Sequence, residues 1–562
     1  MNIGEKIEHH LNIFTLQNSI IWRAHQKETI SKICYLLLTG TKDIILDAPV
    51  GSGKSLIAIS CSYVLQQLEK TGYVLVSDKS LQDQYTTDLV KLTANIPSIK
   101  GANNYICDDN DQPANFGTCN LKKQFRKKLD CYDTCGYYSS RDKAIVAPFS
   151  LLNYSYWLIQ NNYVSLRHGN NSFSVRDVVF LDESHKLDDI VHSHFGPWLN
   201  DSLVTCLINI EYKIKHNESS YVQNILNQLK RDLPNAEVML LLKSLKESIH
   251  PLCEFIKLYL ADIKFKSKVP SGEEIQLLNN FDRIKDTFCK VQDFEELVVQ
   301  DESLVTKTVD ETGIHLNYLN SRQMLKVFFQ KYTKQRVFMS ATFGNLEKTA
   351  EFLGIDEYEH IKINNHFDYS SSKYTVIGKH SLTRRNRERD LPGAIRDLDK
   401  IIGDNPTKKI LVHTGSYEFS RAILDHSKNV NRLITYNLST EKEKALYDLR
   451  MSTDGVLLAA SMTEGVNLPG NDCNVIIFFK CPFLFLGDDF IRKKSELYPE
   501  WYLHKTALTV EQGCGRGHRF IEDQCDVYFI DKSFIKFFYE NHQYLSKEFL
   551  DRTLDDNDRL LL

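Results

Sequence analysis

Four short apolar runs stand out in the first 340 positions: Ile44–Asp47, Tyr73–Ser77, Val178–Leu181 and Arg336–Ser340. Each is continuous rather than alternating, the pattern of a strand buried on both faces. A helical stretch of roughly 15 residues separates the first two, so strand, helix and strand arrive in the order of a parallel βαβ unit. The third run ends on Asp182-Glu183, and a parallel sheet whose strands end in carboxylates gathers those groups around one crevice. From Leu187 to Leu319 the chain turns charged and helix-rich, as in Ser219–Lys230 and Ala236–Ser248, which reads as a helical insertion. Within it Val298–Leu319 alternates (Leu304, Val305, Ile314, Leu316) and predicts a hairpin leading back into the sheet. Residues 346–562 carry a second series of strands, Lys409–His413, Gly455–Ala460, Asn474–Phe479 and Cys525–Ile530, and so a second parallel α/β unit. Ser370–Tyr374 and the arginine-rich Ser381–Asp390 are expected to loop out between elements. There is no fixed-period repeat or low-complexity tract.

At 562 residues the chain exceeds one core and implies about three or four structural units. Net charge is −4, so no global basic field exists and contact with nucleic acid has to come from local patches. No apolar leader opens the chain and no apolar run is long enough to span a bilayer, which predicts a soluble, intracellular protein. Of thirteen cysteines, Cys34, Cys61, Cys206, Cys253, Cys289, Cys473 and Cys481 sit singly in apolar surroundings and read as small core residues. A secreted disulfide framework does not fit this length and context.

The candidate chemistry begins directly after the first strand. Ala48-Pro49-Val50-Gly51-Ser52-Gly53-Lys54-Ser55 is a phosphate-binding loop in which Ala48 replaces the first glycine of the full pattern. Gly51 and Gly53 let backbone N–H groups turn toward phosphate oxygens, Lys54 supplies a point charge, and Ser55 is placed to ligate magnesium. Phosphate cleavage further needs a metal-holding acid and a group to orient water. Asp182 and Glu183 of Asp182-Glu183-Ser184-His185 supply these. Positive charge for the transition state comes from Gln512-Gly-Cys-Gly515-Arg516-Gly-His-Arg519, on or entering a helix, where Arg516 and Arg519 share one face. Solvated surface arginines are the plain alternative.

The order of the loop at Ala48–Ser55, Asp182–His185, Ser340-Ala341-Thr342 and Gln512–Arg519 resembles a superfamily 2 helicase, and Glu464-Gly465-Val466-Asn467 resembles the motif linking the second domain to nucleic acid and ATP. Lys100-Gly-Ala-Asn-Asn-Tyr105-Ile-Cys107 is similar to the stretch that introduces the first cluster cysteine of the XPD/DinG family. The resemblance covers nearly the whole chain. It implies an α/β fold with two RecA-like parallel-sheet motor domains, the first from residues 1–100, 140–190 and 320–345 and the second from 346–562. An iron–sulfur domain at 101–139 and a helical arch at 191–319 are inserted in the first. It implies ATP, Mg²⁺ and a 4Fe-4S cluster as cofactors.

Four cysteines, Cys107, Cys119, Cys131 and Cys135, fall where that family inserts its cluster, with eleven, eleven and three residues between them. Four thiolates suit a 4Fe-4S cluster, and a Cys₄ zinc site stands as the alternative. Between the second and third runs Lys122-Lys123-Gln-Phe125-Arg126-Lys127-Lys128, a local patch for phosphates, or else a solvated basic face. Arg23 and Gln26 match the family's adenine-side motif. Ser77-Asp-Lys-Ser80-Leu-Gln82-Asp-Gln84 occupies the place of its first nucleic-acid contact, and His413-Thr414-Gly415-Ser416 could serve likewise; each could equally be a strand-to-helix cap.

These features imply an ATP-dependent DNA helicase with single-stranded and forked DNA as partners, DNA–RNA hybrids left open, no membrane, and a monomeric chain; the resemblance, not the residues, implies movement 5′ to 3′. Arg516 and Arg519 are expected to face Lys54, Asp182 and Glu183 across the ATP cleft, and Ser340 and Thr342 to couple closure to strand grip. The expected setting is the cytoplasm of a bacterium or phage-infected cell. An ATPase that remodels protein–DNA complexes without separating strands is the alternative. The absence of an exonuclease-like segment before Arg23 or after Ile530 speaks against a nuclease-helicase.

Overall fold

The computed structural model describes residues 1–49, 51–117, 119, 130–164, 173, 175–215, 220–265, 272–299, 301–363, 372–460, 468, 470–517 and 524–561. The chain divides into two compact units. The first holds residues 1–46, 54–339 and 351–361; the second holds 47–53, 340–350 and 362–562.

In the first unit helices α1 (Ile3–Asn18) and α2 (Gln26–Leu38) precede strand β1 (Asp43–Asp47), helix α3 (Lys54–Gln67), strand β2 (Gly72–Val76) and helix α4 (Lys79–Val90). Helix α5 (Gly136–Val146), strand β3 (Phe149–Asn153), helix α6 (Tyr154–Ile159) and strand β4 (Arg176–Asp182) follow. With β8 (Thr333–Ser340) and β9 (Glu359–Lys362) these strands form a six-stranded sheet in the order β3-β2-β4-β8-β1-β9. Every residue of β2 and β3 is buried, as the unbroken apolar run in β2 required. β3 was not among the strands expected from the sequence, because its Ser150 and Asn153 break the apolar run.

Two buried arginines fix this sheet. Arg336 of β8 meets Asp43 of β1 through two short contacts, Nε to Oδ1 at 2.5 Å and Nη2 to Oδ2 at 2.6 Å. Arg176, at the start of β4, donates to the carbonyls of Gly72 (2.9 Å), Ala144 (3.0 Å) and Ile145 (3.1 Å). It thereby ties the carbonyl end of α5 to the sheet and sets where Cys135, the residue preceding α5, is carried.

Residues 187–319 are helix-rich as expected, with helices at Asp201–Lys215, Tyr221–Leu229, Asn235–Phe265 and Gly272–Val298. The hairpin is present as β6 (Val305–Asp310) and β7 (Gly313–Tyr318), but it does not lead back into the parallel sheet. It pairs with β5 (Trp198–Asn200) in a separate three-stranded antiparallel sheet, order β5-β7-β6. Leu199, Ile314 and Leu316 are buried there, so the alternation served a small sheet with one covered face.

The second unit carries β10 (Tyr374–His380), β11 (Ile410–His413), β12 (Leu433–Ile434), β13 (Val456–Ala459), β14 (Val475–Phe478), β15 (Asp526–Asp531) and β16 (Thr553–Asp555). Their order is β12-β13-β11-β14-β15-β10-β16, with parallel pairing. Leu411, Leu457, Ile476 and Val527 face one core, and Val412, Leu458, Ile477 and Ile530 face the other. The expected loop at Ser381–Asp390 is shorter than predicted: the helix Arg387–Asp404 already includes its last four residues, and Asp390 accepts the Ser381 N–H at 2.9 Å. Tyr374, assigned to a loop, opens β10 between Val527 and Thr553. Among the described residues no helix is long and apolar enough to cross a membrane.

Candidate active site

The phosphate loop leaves β1 and enters α3. Gly51 (φ +79°) and Gly53 (φ +84°) are both left-handed, the backbone state in which a side chain is strained. Ala48 is buried, donates its N–H to the Ser340 carbonyl at 3.0 Å and is not left-handed, so the missing first glycine leaves the loop unstrained at that point. Val50 lies outside the described residues. Lys54 opens α3, and the Ser55 hydroxyl donates to Asp88 Oδ2 on α4 at 3.3 Å.

Asp182 ends β4 with its carboxylate buried and held on both oxygens. Oδ2 accepts the Tyr85 hydroxyl at 2.8 Å and Oδ1 accepts the Glu183 N–H at 3.0 Å, while Tyr154 donates to its backbone carbonyl at 2.9 Å. Burial and the neighbouring Glu183 push the Asp182 carboxyl up to about 6, against the opposing pull of Lys54 and the Tyr85 hydrogen bond. Glu183 adopts a left-handed backbone (φ +52°), turns out of the strand and stays 29% exposed, with His185 Nδ1 3.4 Å from Oε2. Ser184 donates to the Met339 carbonyl of β8 at 3.2 Å, which anchors the turn. A buried acid and an adjacent, solvent-reaching acid are thus presented from one strand end, a pairing suited to holding a cation and orienting water.

In the second unit Gln512 is buried near the end of the helix Pro499–Cys514. Arg516 and Arg519 were expected to share a helical face. The helix instead stops at Cys514 and Arg516 lies in the 3₁₀ turn Gly515–Gly517; the Arg516 side chain and Arg519 lie outside the described residues. The glycine at 513 has a packing reason, since a Cβ there would fall 2.4 Å from the Phe478 ring of β14. Ser340 and Thr342 close on each other, with Ser340 Oγ accepting the Thr342 N–H at 3.1 Å and donating to its carbonyl at 2.9 Å.

The nucleic-acid candidates divide. Ser77 is partly exposed and donates to Asp78 at 2.8 Å; Asp78 caps α4 by accepting the Leu81 N–H at 2.9 Å. Gln82 is not a surface contact: it is fully buried, donating to Ser98 (3.0 Å) and the Ile99 carbonyl (2.9 Å) and accepting from Asn153 (3.0 Å). His413 and Thr414 are likewise enclosed, the former against Phe478 with ring centroids 4.7 Å apart, the latter sharing a hydroxyl contact with Ser420 at 2.8 Å. Both are enclosed because His413 is the last residue of the central strand β11 and Thr414, directly after it, donates its N–H to the Ala459 carbonyl at 3.0 Å. Gln26 is buried at the start of α2, and its Oε1 accepts the Arg23 N–H at 3.0 Å, so the two residues of the pair are brought together. Lys122, Lys123, Arg126, Lys127, Glu464 and Gly465 lie outside the described residues.

Cys107, Cys119, Cys131 and Cys135 line one small cavity together with Asp108, Tyr132 and Tyr138. Cys107 sits on a tight turn, donating its N–H to the Gln112 carbonyl at 2.7 Å. A Cβ at Gly117 would lie 3.2 Å from Cys107 Sγ and 3.5 Å from Cys119 Sγ, so the glycine keeps a cradle open between two sulfurs. Burial, Asp109 and the thiols of Cys107 and Cys119 all push the Cys131 thiol up. Among the described residues no three His, Cys, Asp or Glu side chains are grouped so as to hold a metal ion. Tyr85, Tyr154 and Asp88 were missed from sequence; on α4 nothing in the residue types sets Tyr85 and Asp88 apart from ordinary helix positions.

Residues 19–194 match the family described as type III restriction enzyme, res subunit, and residues 400–549 match the helicase C-terminal domain. The proteins named ATP-dependent DNA helicase YoaA from Escherichia coli (strain K12) and Haemophilus influenzae are each 21% identical, over 86% and 88% of this chain and 87% and 88% of theirs. Two solved structures share the fold: "XPD_Helicase" (TM-score 0.58, 16% identity) and "Structure of S. tokodaii Xpd4" (TM-score 0.59, 15% identity). Each covers 95% of this chain and is itself covered over its whole length. The chain is an ATP-hydrolysing helicase with two RecA-like parallel-sheet units. Among helicases it is similar to the XPD/DinG-like members of superfamily 2.

Proposed function

We propose that this chain uses ATP to translocate 5′ to 3′ along single-stranded DNA and to unwind forked duplex, acting as a monomer in the cytoplasm of a bacterial or phage-infected cell. The observation that carries the reading is the Asp182–Glu183 pair, one acid buried and held, its neighbour turned out to solvent, at the end of the strand two places from β1 in the sheet. In this reading Lys54 and the loop 48–53 hold the triphosphate, Ser55 and Asp182 hold Mg²⁺, Glu183 orients water, and Arg516 and Arg519, with Gln512, supply transition-state charge. Arg23 and Gln26 select adenine, and Glu464 and Gly465 link nucleotide state to strand grip. Ser77 and the cations Lys122, Lys123, Arg126 and Lys127 bind the DNA backbone, so binding weakens steeply with salt. DNA–RNA hybrids would be accepted as far as such backbone contacts allow.

The four thiols fit a cluster better than zinc. A single zinc ion needs every sulfur within about 2.3 Å of one point, whereas a 4Fe-4S cluster interposes its own iron and sulfide, which suits thiols arranged around a shared cavity. Its contribution there would be to cross-link a segment whose apolar core, among the described residues, consists of Cys119, Cys135 and Tyr138 with Tyr132 and Tyr137.

The test is strand separation on forked duplexes carrying a 5′ or a 3′ single-stranded tail, run beside ATP turnover. ATP-dependent unwinding of the 5′-tailed fork supports the proposal. DNA-stimulated turnover without strand separation would replace it with a remodelling ATPase, and unwinding only of the 3′-tailed fork would overturn the direction.

A further inference from the structure

Helix α4 touches both residues assigned to magnesium. Tyr85 and Asp88 lie three positions apart and share one face of the helix. Tyr85 donates to Asp182 Oδ2 at 2.8 Å, and Asp88 accepts the Ser55 hydroxyl at 3.3 Å. The opposite end of α4 holds the strand-contact candidate: Ser77 donates to Asp78, and Asp78 caps the helix through Leu81. Between the two ends Gln82 is bolted to Ser98, Ile99 and Asn153.

We propose that α4 is a lever pivoting at Gln82, and that Tyr85 and Asp88 are positioning residues that pass the state of the magnesium–nucleotide site to the DNA-contacting turn at Ser77-Asp78. The inference rests on the functional reading above. With its proton directed to Asp88, the Ser55 hydroxyl keeps its lone pairs free for a cation, so Asp88 orients the ligand. Both oxygens of Asp182 already accept hydrogen bonds, from Tyr85 and from the Glu183 N–H, so any cation-bound water at this carboxylate has to be accommodated against Tyr85. A shift there moves the face of a helix about 18 Å long, which behaves as one body over its twelve residues. Coupling of this kind is reciprocal: if nucleotide changes DNA affinity, DNA changes nucleotide affinity by the same factor.

The experiment is fluorescence anisotropy with a labelled oligothymidine, with the full chain carrying nothing, a non-hydrolysable ATP analogue with Mg²⁺, or the same analogue with EDTA. In the wild type, analogue with Mg²⁺ is expected to change DNA affinity by about fivefold or more, and analogue with EDTA much less. In Tyr85→Phe and Asp88→Ala the change should fall to within about twofold of unity, which is under half a kcal/mol of coupling. DNA affinity without nucleotide and the thermal midpoint should stay near wild type. Asp88 is only partly buried, so Asp88→Ala keeps the test open should Tyr85→Phe fold poorly. Wild-type coupling in Asp88→Ala and in any folded Tyr85→Phe overturns the lever, as does equal loss of bare DNA affinity and thermal midpoint in either. A wild type that binds both ligands without coupling sinks only this inference; one that binds neither removes the functional reading and the lever together.

Discussion

Asp182 fixes Glu183: its Oδ1 accepts the Glu183 backbone N–H at 3.0 Å, and Glu183 takes up a left-handed turn at φ +52°. A glutamate in that conformation is strained by about 1 kcal/mol or more, and the strained turn is what separates a buried acid from an exposed one at consecutive positions. Glu183→Gln is therefore expected to keep the fold and nucleotide binding while lowering DNA-stimulated ATP turnover by about 10²–10⁴-fold. Lys54→Ala should lose turnover along with tight nucleotide binding. Persistent turnover in both, measured by phosphate release, would refute the assigned roles.

Glu511 offers a pH signature. It is buried beside Gln512 and accepts the Ser546 N–H; burial, with Asp47 and Glu548, pushes its carboxyl up to about 7 from its ordinary 4.5, against the hydrogen bonds from Ser546. The folded chain binds this proton more tightly than the unfolded one, so the stabilisation is complete below pH 4.5 and is lost as pH rises through about 7. Glu511→Gln removes the ionisation, on the order of 3 kcal/mol at alkaline pH. Thermal melts should show the variant gaining on the wild type from pH 6 to pH 8, a window around that value. A stability difference independent of pH would remove the assignment.

The cysteine cavity predicts a colour. Protein purified without oxygen should contain iron and acid-labile sulfide and absorb visible light, and Cys107→Ser or Cys135→Ser should lose both. Colourless protein with stoichiometric zinc would establish the alternative metal.

The Arg336–Asp43 pair predicts a stability asymmetry. Removing one partner, as in Asp43→Ala, leaves a guanidinium buried and should cost about 3–5 kcal/mol. The double variant Asp43→Ala with Arg336→Met should recover much of that loss. Urea denaturation followed by circular dichroism reads both, and equal destabilisation of single and double variants would show that the charge is not the cause.

Local pattern carried far in this chain. Continuous apolar runs marked β1, β2, β4, β8 and four strands of the second unit because a strand covered on both faces admits little polar side chain, and Gly51 and Gly53 stand where the backbone has to be left-handed. Residue type and spacing also singled out the loop, the acid pair and the four cysteines as candidates, since phosphate, metal and thiolate chemistry each demand particular atoms. What needed tertiary structure was which polar groups remain available. Gln82, His413 and Thr414 look like surface contacts in sequence, yet packing encloses all three, while Tyr85 and Asp88 acquire meaning only because α4 lies against Asp182 and Ser55. The hairpin at 305–318 likewise announced its alternation but not its partner, because β5 comes from more than a hundred positions earlier in the chain. Sequence sets the chemistry each residue can perform; long-range packing decides whether a given group is satisfied inside the protein or left to meet a ligand.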